Sequence, residues 1–256
     1  MVALEELMAF LNDFMGDAGN QDPHMPNGLQ VRGHPQVRKL ATGVSASLRL
    51  FEMAVEREAD VLLVHHGLSM PAGMLFDGVF TGRVRYLLQH ALSLIGYHFL
   101  LDSHPQVGHN AQILCRLGAE PVAPYGLPGE PAWGWLGEFA TPVSLEEICS
   151  GCERLFGQKG VQYLFGPQEV RRVVAISGKG APYPSGMESL IQKEVDLFIT
   201  GETSEWVREL FREVGISFIA GGHYNTEKIG ILALGEVIAG HFPTLSVEFV
   251  DLPNPV

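Results

Sequence analysis

Apolar positions along this chain follow two rhythms. Leu4, Leu7, Met8, Leu11 and Phe14 recur at three- and four-residue intervals and predict an opening amphipathic helix. Short runs at 39–44, 61–64, 94–101, 172–176, 195–200, 216–220 and 245–250 are instead nearly continuous in apolar residues. Continuous runs of that length suit parallel strands, which helices cover on both faces. Helical patterns at 48–58, 83–91, 110–117, 187–194, 205–214 and 226–239 separate them. Further strands are expected at 133–139 and 161–165, and Ser144-Leu145-Glu146-Glu147 is a capping box opening another helix. Strand and helix alternate, so the predicted class is α/β.

The pattern repeats. Residues 39–43, a helix and then Ala59-Asp60 with the run ending at His65-His66 form one copy. Residues 173–178, a helix and then Val195-Asp196 with the run ending at Gly201-Glu202 form the other. Residues 120–133 concentrate proline and glycine and suggest a boundary. We therefore expect two α/β domains of related topology, 1–125 and 126–256, with a cleft between them. Residues 16–33, rich in Gly, Pro and Asn, read as a long loop.

Composition narrows the function classes. The 256 residues are 46% hydrophobic and 18% charged, enough to bury a sizeable core. A formal net charge of -12 argues against a broad grip on nucleic acid or an anionic membrane. No apolar run approaches a membrane span, and residues 1–6 carry no basic stretch of the kind that opens a secretory signal. Three sparse cysteines fit a reduced, cytoplasmic setting.

Candidate chemistry gathers where runs end. Ligands in open α/β sheets sit beyond the carboxyl ends of the strands. His65-His66-Gly67, Asp102 and His223 all carry that address on the expected strand limits. His223 and Glu227 are four apart and share a face if a helix begins near His223. Three imidazoles and two carboxylates exceed one tetrahedral site and suit two metals about 3.5–4 Å apart.

These residues come in a recognisable order. Residues 61–67, Leu101-Asp102-Ser103-His104-Pro105 with Asn110-Ala111-Gln112, Ile199-Thr200-Gly201-Glu202 and Gly222-His223-Tyr224-Asn225-Thr226-Glu227 together resemble the NIF-three-like dinuclear metal-centre family. Its members are often labelled GTP cyclohydrolase 1 type 2 homologues. The resemblance runs from Asn27-Gly28-Leu29-Gln30 to Ala233-Leu234. It implies a dinuclear site of His65, His66, Asp102, His223 and Glu227, two similar α/β domains and a ring-shaped homohexamer. It points to the short bacterial form, because residues 120–133 leave no room for an inserted domain. His109 departs from the pattern and is not counted as a ligand.

Cys149-Ser150-Gly151-Cys152 matches a C-x-x-C spacing, but both cysteines lie on the apolar stripe of a predicted helix, where Cys behaves as a small hydrophobe. Ser177-Gly178-Lys179-Gly180 lacks P-loop spacing, although Lys179 could meet an anion. His98, inside an expected strand, reads as a core or outer-sphere histidine, and His104 and Glu202 as cleft residues.

Two functions follow. One is a hydrolase acting on a small molecule through two divalent ions (zinc, iron, manganese or nickel) and activated water, with no general base outside the ligands apparent in the sequence. The other is a non-catalytic metal-carrying ring that engages a partner or, against the charge balance, nucleic acid.

Overall fold

The structure, a computed structural model, describes residues 1–16, 22, 25–69 and 76–256. It divides into two compact units, residues 1–101 with 231–252, and residues 102–230 with 253–256.

In unit 1, β1 (Val2–Ala3) pairs with β3 (Gln36–Val37), and α1 (Leu4–Met15) follows directly. The expected helix forms, with Leu4, Leu7 and Leu11 buried on one face; Met8 and Phe14 are only half-buried, and Met15 completes the buried stripe. Each such leucine contributes about 1.5–3 kcal/mol of burial. β2 (Gly28–Val31), β4 (Lys39–Ser45), β5 (Val61–His66) and β6 (Ser93–Gly96) form the main sheet, with α2 (Leu48–Glu56) and α3 (Gly78–Gln89) as crossovers. The expected loop at 16–33 therefore contains β2, and its residues 17–21 and 23–24 lie outside the described residues. Asp77 Oδ1 accepts the Phe80 N–H at 2.8 Å, so α3 starts five residues before the apolar pattern does.

The expected strand at 94–101 ends at Gly96. The His98 N–H goes to Asn27 Oδ1, and residues 99–103 wind into α4 (Phe99–Ser103). A short apolar run does not reveal its own period. His98, not Asp102, therefore stands just beyond the strand, and Asp102 sits in a short helix. The chain passes from unit 1 to unit 2 within α4.

Unit 2 continues through α5 (His109–Arg116), β7 (Glu120–Tyr125), β8 (Gly134–Ser144), α6 (Leu145–Phe156), β9 (Val161–Tyr163), β10 (Glu169–Ile176), α7 (Pro184–Gln192), β11 (Leu197–Thr200), α8 (Val207–Val214) and β12 (Ser217–Ala220). α9 (His223–His241) carries the chain back, and β13 (Ser246–Phe249) joins the unit 1 sheet beside β4. The expected boundary at residue 125 falls inside unit 2, at the end of β7. Its prolines are tolerated because β7 is an edge strand with a register shift between Pro121 and Ala123.

Both units are α/β and share a topology. Unit 1 orders β4-β5-β6 parallel with antiparallel β2 outside, and unit 2 orders β10-β11-β12 parallel with antiparallel β9 outside. The aspartates of the sequence repeat play one role twice. Asp60 Oδ2 accepts the N–H groups of Arg38 and Lys39, and Asp196 Oδ2 those of Arg171 and Arg172. Ser93 and Ser217 likewise each accept a glycine N–H, from Gly33 and Gly166. Apolar clusters fill each unit, around Phe51, Leu62 and Leu94 in the first and around Phe198, Phe211 and Phe218 in the second.

Candidate metal centre

Unit 1 gathers three imidazoles of its own. His65 is fully buried at the end of β5, and its Nδ1 lies 2.9 Å from the Tyr97 carbonyl oxygen. A carbonyl only accepts, so Nδ1 carries the proton and the lone pair that can coordinate is on Nε2. His66 Nδ1 lies 2.9 Å from Ser45 Oγ, directly across the β4–β5 pair. Gly67 turns the chain where a side chain has no room: a Cβ there would lie 2.3 Å from Gln30 Oε1, which accepts the Leu68 N–H. His98 joins them, with ring centroids 5.0 Å from His65 and 5.4 Å from His66.

Unit 2 carries carboxylates and further imidazoles. Asp102 is 4% exposed, and the Ser177 hydroxyl donates to its Oδ1 at 2.7 Å. Asn110 ties this corner together: its Nδ2 donates to the Asp102 and Trp133 carbonyls, and its Oδ1 accepts the Ser177 N–H. Helix α9 begins at His223, so His223 and Glu227 do share a face, with Nε2 and Oε1 3.0 Å apart. Glu202 holds the other side of the ring through His223 Nδ1. Burial alone would lower the His223 pKa, but the Glu227 and Glu202 carboxylates together raise it to about 9.

Gly178 makes the carboxylate's position possible. Its φ is +59°, and a Cβ there would lie 2.2 Å from Glu227 Oε1 and 3.1 Å from His223 Nε2. The loop around it is not an anion cradle, because its amides are already committed. The N–H groups of Ser177, Gly178 and Gly180 donate to Asn110 Oδ1, Thr226 Oγ1 and Thr200 Oγ1. Lys179 stands exposed. His104 is buried, and its Nδ1 accepts the N–H groups of Gln106 and Val107, which shapes a turn.

Two residues carry more weight than the sequence suggests. His109 is fully buried, and its Nδ1 accepts the Gly230 N–H at 3.0 Å. One of its ring nitrogens lies within 4.8 Å of an Asp102 carboxylate oxygen. Asp22, in the Gly/Pro/Asn-rich loop, has a side chain only 1% exposed with Oδ2 2.6 Å from His98 Nδ1. Nothing in that loop's composition distinguishes this aspartate. Cys152, by contrast, is an ordinary core residue: it is 1% exposed on α6, and burial pushes its thiol up to about 12.

Imidazoles and carboxylates grouped in two repeated α/β units, His65 and His66 at a strand end and Asp102, His223 and Glu227 on helices, define a class of protein with groups that could bind a metal. The donor set fits a divalent ion of borderline character, with nitrogen and oxygen ligands and no thiolate. The chain belongs to the Duf34/NIF3 (NGG1p interacting factor 3) family, whose model matches residues 2–255. It is 38% identical over 256 residues to a "GTP cyclohydrolase 1 type 2 homolog" of Pseudomonas aeruginosa, covering 99% of both chains. It is equally 38% identical to the protein of that name from Yersinia pestis, covering 98% of both. Among solved structures it is similar to protein ybgI, described as of unknown function, with TM-score 0.86, 36% identity and full coverage of both chains. It is also similar to TTHA1606 of Thermus thermophilus, with TM-score 0.87, 30% identity and full coverage.

Proposed function

We propose that this protein is a metal-dependent hydrolase in which His65, His66, Asp102, His223 and Glu227 hold two divalent ions, zinc, iron, manganese or nickel. The carrying observation is the pairing of half-buried His223 with buried Glu227 on the first turn of α9, oriented by Glu202 and fitted against Gly178. The protonated Nδ1 of His65 adds to it, because it presents Nε2 as a ligand atom.

Two such ions supply Lewis acidity and a water nucleophile at neutral pH. The protein's own residues do the positioning. Ser177 donates to Asp102 Oδ1 and sets the plane of that carboxylate. The Tyr97 carbonyl fixes the His65 tautomer, and Glu202 that of His223. The Val61–Val64 run behind the paired histidines is fully buried, so they stand on a rigid strand, and the buried Leu197-Phe198-Ile199 run likewise anchors Glu202 behind His223.

The relatives' shared name favours a small heterocyclic substrate opened by hydrolysis; a cytoplasmic homohexameric ring completes the proposal. Among the described residues, no helix is long and apolar enough to cross a membrane.

Elemental analysis of protein purified without chelator tests the reading. About two metals per chain are expected, falling in Asp102→Ala and Glu227→Ala. Light scattering should give six chains per particle. A wild type that takes up no zinc, iron or manganese on reconstitution refutes the reading. Metal-loaded protein without turnover on any heterocycle or phosphate ester would favour the partner-binding ring.

A further inference from the structure

We infer that His98 is also a metal ligand, so that unit 1 alone forms a three-imidazole site from His65, His66 and His98, with Asp22 orienting the third ring. The inference rests on the dinuclear reading above and extends its ligand set. One ligand nitrogen from each of the three rings lies within 4.8 Å of the others. Each ring's Nδ1 faces an oxygen: the Tyr97 carbonyl for His65, Ser45 Oγ for His66 and Asp22 Oδ2 for His98. Carbonyl and carboxylate oxygens only accept, so in His65 and His98 the proton is on Nδ1 and the lone pair on Nε2. A carboxylate behind a histidine is the usual device for fixing a metal-binding ring and raising its basicity.

The arrangement is built rather than incidental. Asp22 cannot swing, because Met25 N–H donates to its Oδ1 at 3.2 Å and Phe99 N–H to its Oδ2 at 3.3 Å. The backbone of His98 is held as well, by its own N–H donating to Asn27 Oδ1 at 2.8 Å. Both ends of the side chain are therefore located, the ring by Asp22 and the backbone by Asn27, which gives these two loop residues a function. Three histidines with one position open is a recurrent catalytic arrangement for zinc. Asp22 is the positioning residue here and touches no ligand site itself.

Cobalt(II) is the probe, titrated into metal-stripped wild type, His98→Ala, His98→Gln, Asp22→Asn and Asp22→Glu. The readouts are chelator competition, visible absorption and the count of imidazoles per cobalt from X-ray absorption. Circular dichroism shows which variants fold. Wild type should bind about two ions, and the His98 variants should hold one of them about 100-fold more weakly with fewer imidazoles per cobalt. Asp22→Asn should weaken the same ion about tenfold and shift its absorption, with Asp22→Glu partly restoring both. If folded His98 variants keep both ions at wild-type affinity with an unchanged imidazole count, the inference falls while the five-ligand reading stands. If Asp22→Asn moves neither affinity nor absorption, its orienting role falls. If wild type binds no cobalt, both readings fall together.

Discussion

Gly178→Ala is the sharpest perturbation this structure offers. The added Cβ would sit 2.2 Å from Glu227 Oε1, where ordinary carbon–oxygen contact requires about 1 Å more. Glu227 cannot retreat cheaply, because it is buried on the first turn of α9 and bonded to His223. Two costs add. A left-handed φ of +59° costs a residue with a Cβ about 1–2 kcal/mol. Disturbing a hydrogen bond to a charged group costs about 1.5–3 kcal/mol more. Urea unfolding of the metal-free protein should therefore show a loss of about 2.5–5 kcal/mol. A double-mutant cycle separates the two parts. In a Glu227→Ala background the clash is gone, and only the backbone cost of about 1–2 kcal/mol should remain. If Gly178→Ala costs the same in both backgrounds, within about 0.5 kcal/mol, the close approach to Glu227 is not what requires glycine there.

Ser177→Ala removes the hydroxyl that fixes Asp102 Oδ1, and chelator competition should show metal held about 10–100-fold more weakly. In metal-free protein the His223 pKa is raised to about 9, above its ordinary value of 6.5. Its stabilising contribution is therefore complete below pH 6.5 and disappears as pH rises through about 9. Melting temperatures of metal-free wild type and His223→Gln should converge across that window; a constant difference would contradict the assignment. Alkylation at pH 8 followed by mass spectrometry should label exposed Cys115 quickly and spare Cys152 until unfolding. With a thiol at about 12, only about one Cys152 in ten thousand is ionised at that pH. Equal labelling rates in native protein would contradict its burial.

Much of the fold could be read from the chain. Continuous apolar runs mark β4, β5, β10, β11 and β12 because strands covered on both faces need no polar alternation. The repeat was legible too, since Asp60 and Asp196 each anchor the start of a neighbouring strand and so keep the same place in both copies. The pairing of His223 with Glu227 followed from helical spacing once the helix began early enough.

Tertiary structure decided the rest, because it depends on contacts between residues distant in the chain. Residues 94–101 look like one strand, yet Asn27 and Asp22 bind the backbone and ring of His98 and turn the run into α4. Pro121 and Pro124 look like part of a linker, yet they sit in β7, the edge strand of its sheet, where a proline's missing N–H can face outward. The stretch around Gly178 lacks P-loop spacing but could still have met an anion, yet Asn110, Thr226 and Thr200 take the amides of Ser177, Gly178 and Gly180, and Glu227 takes the space beside Gly178. Local pattern records which face of an element is buried. Which polar atom meets which is written in no single segment, and the position of Asp22 behind His98 is the plainest example.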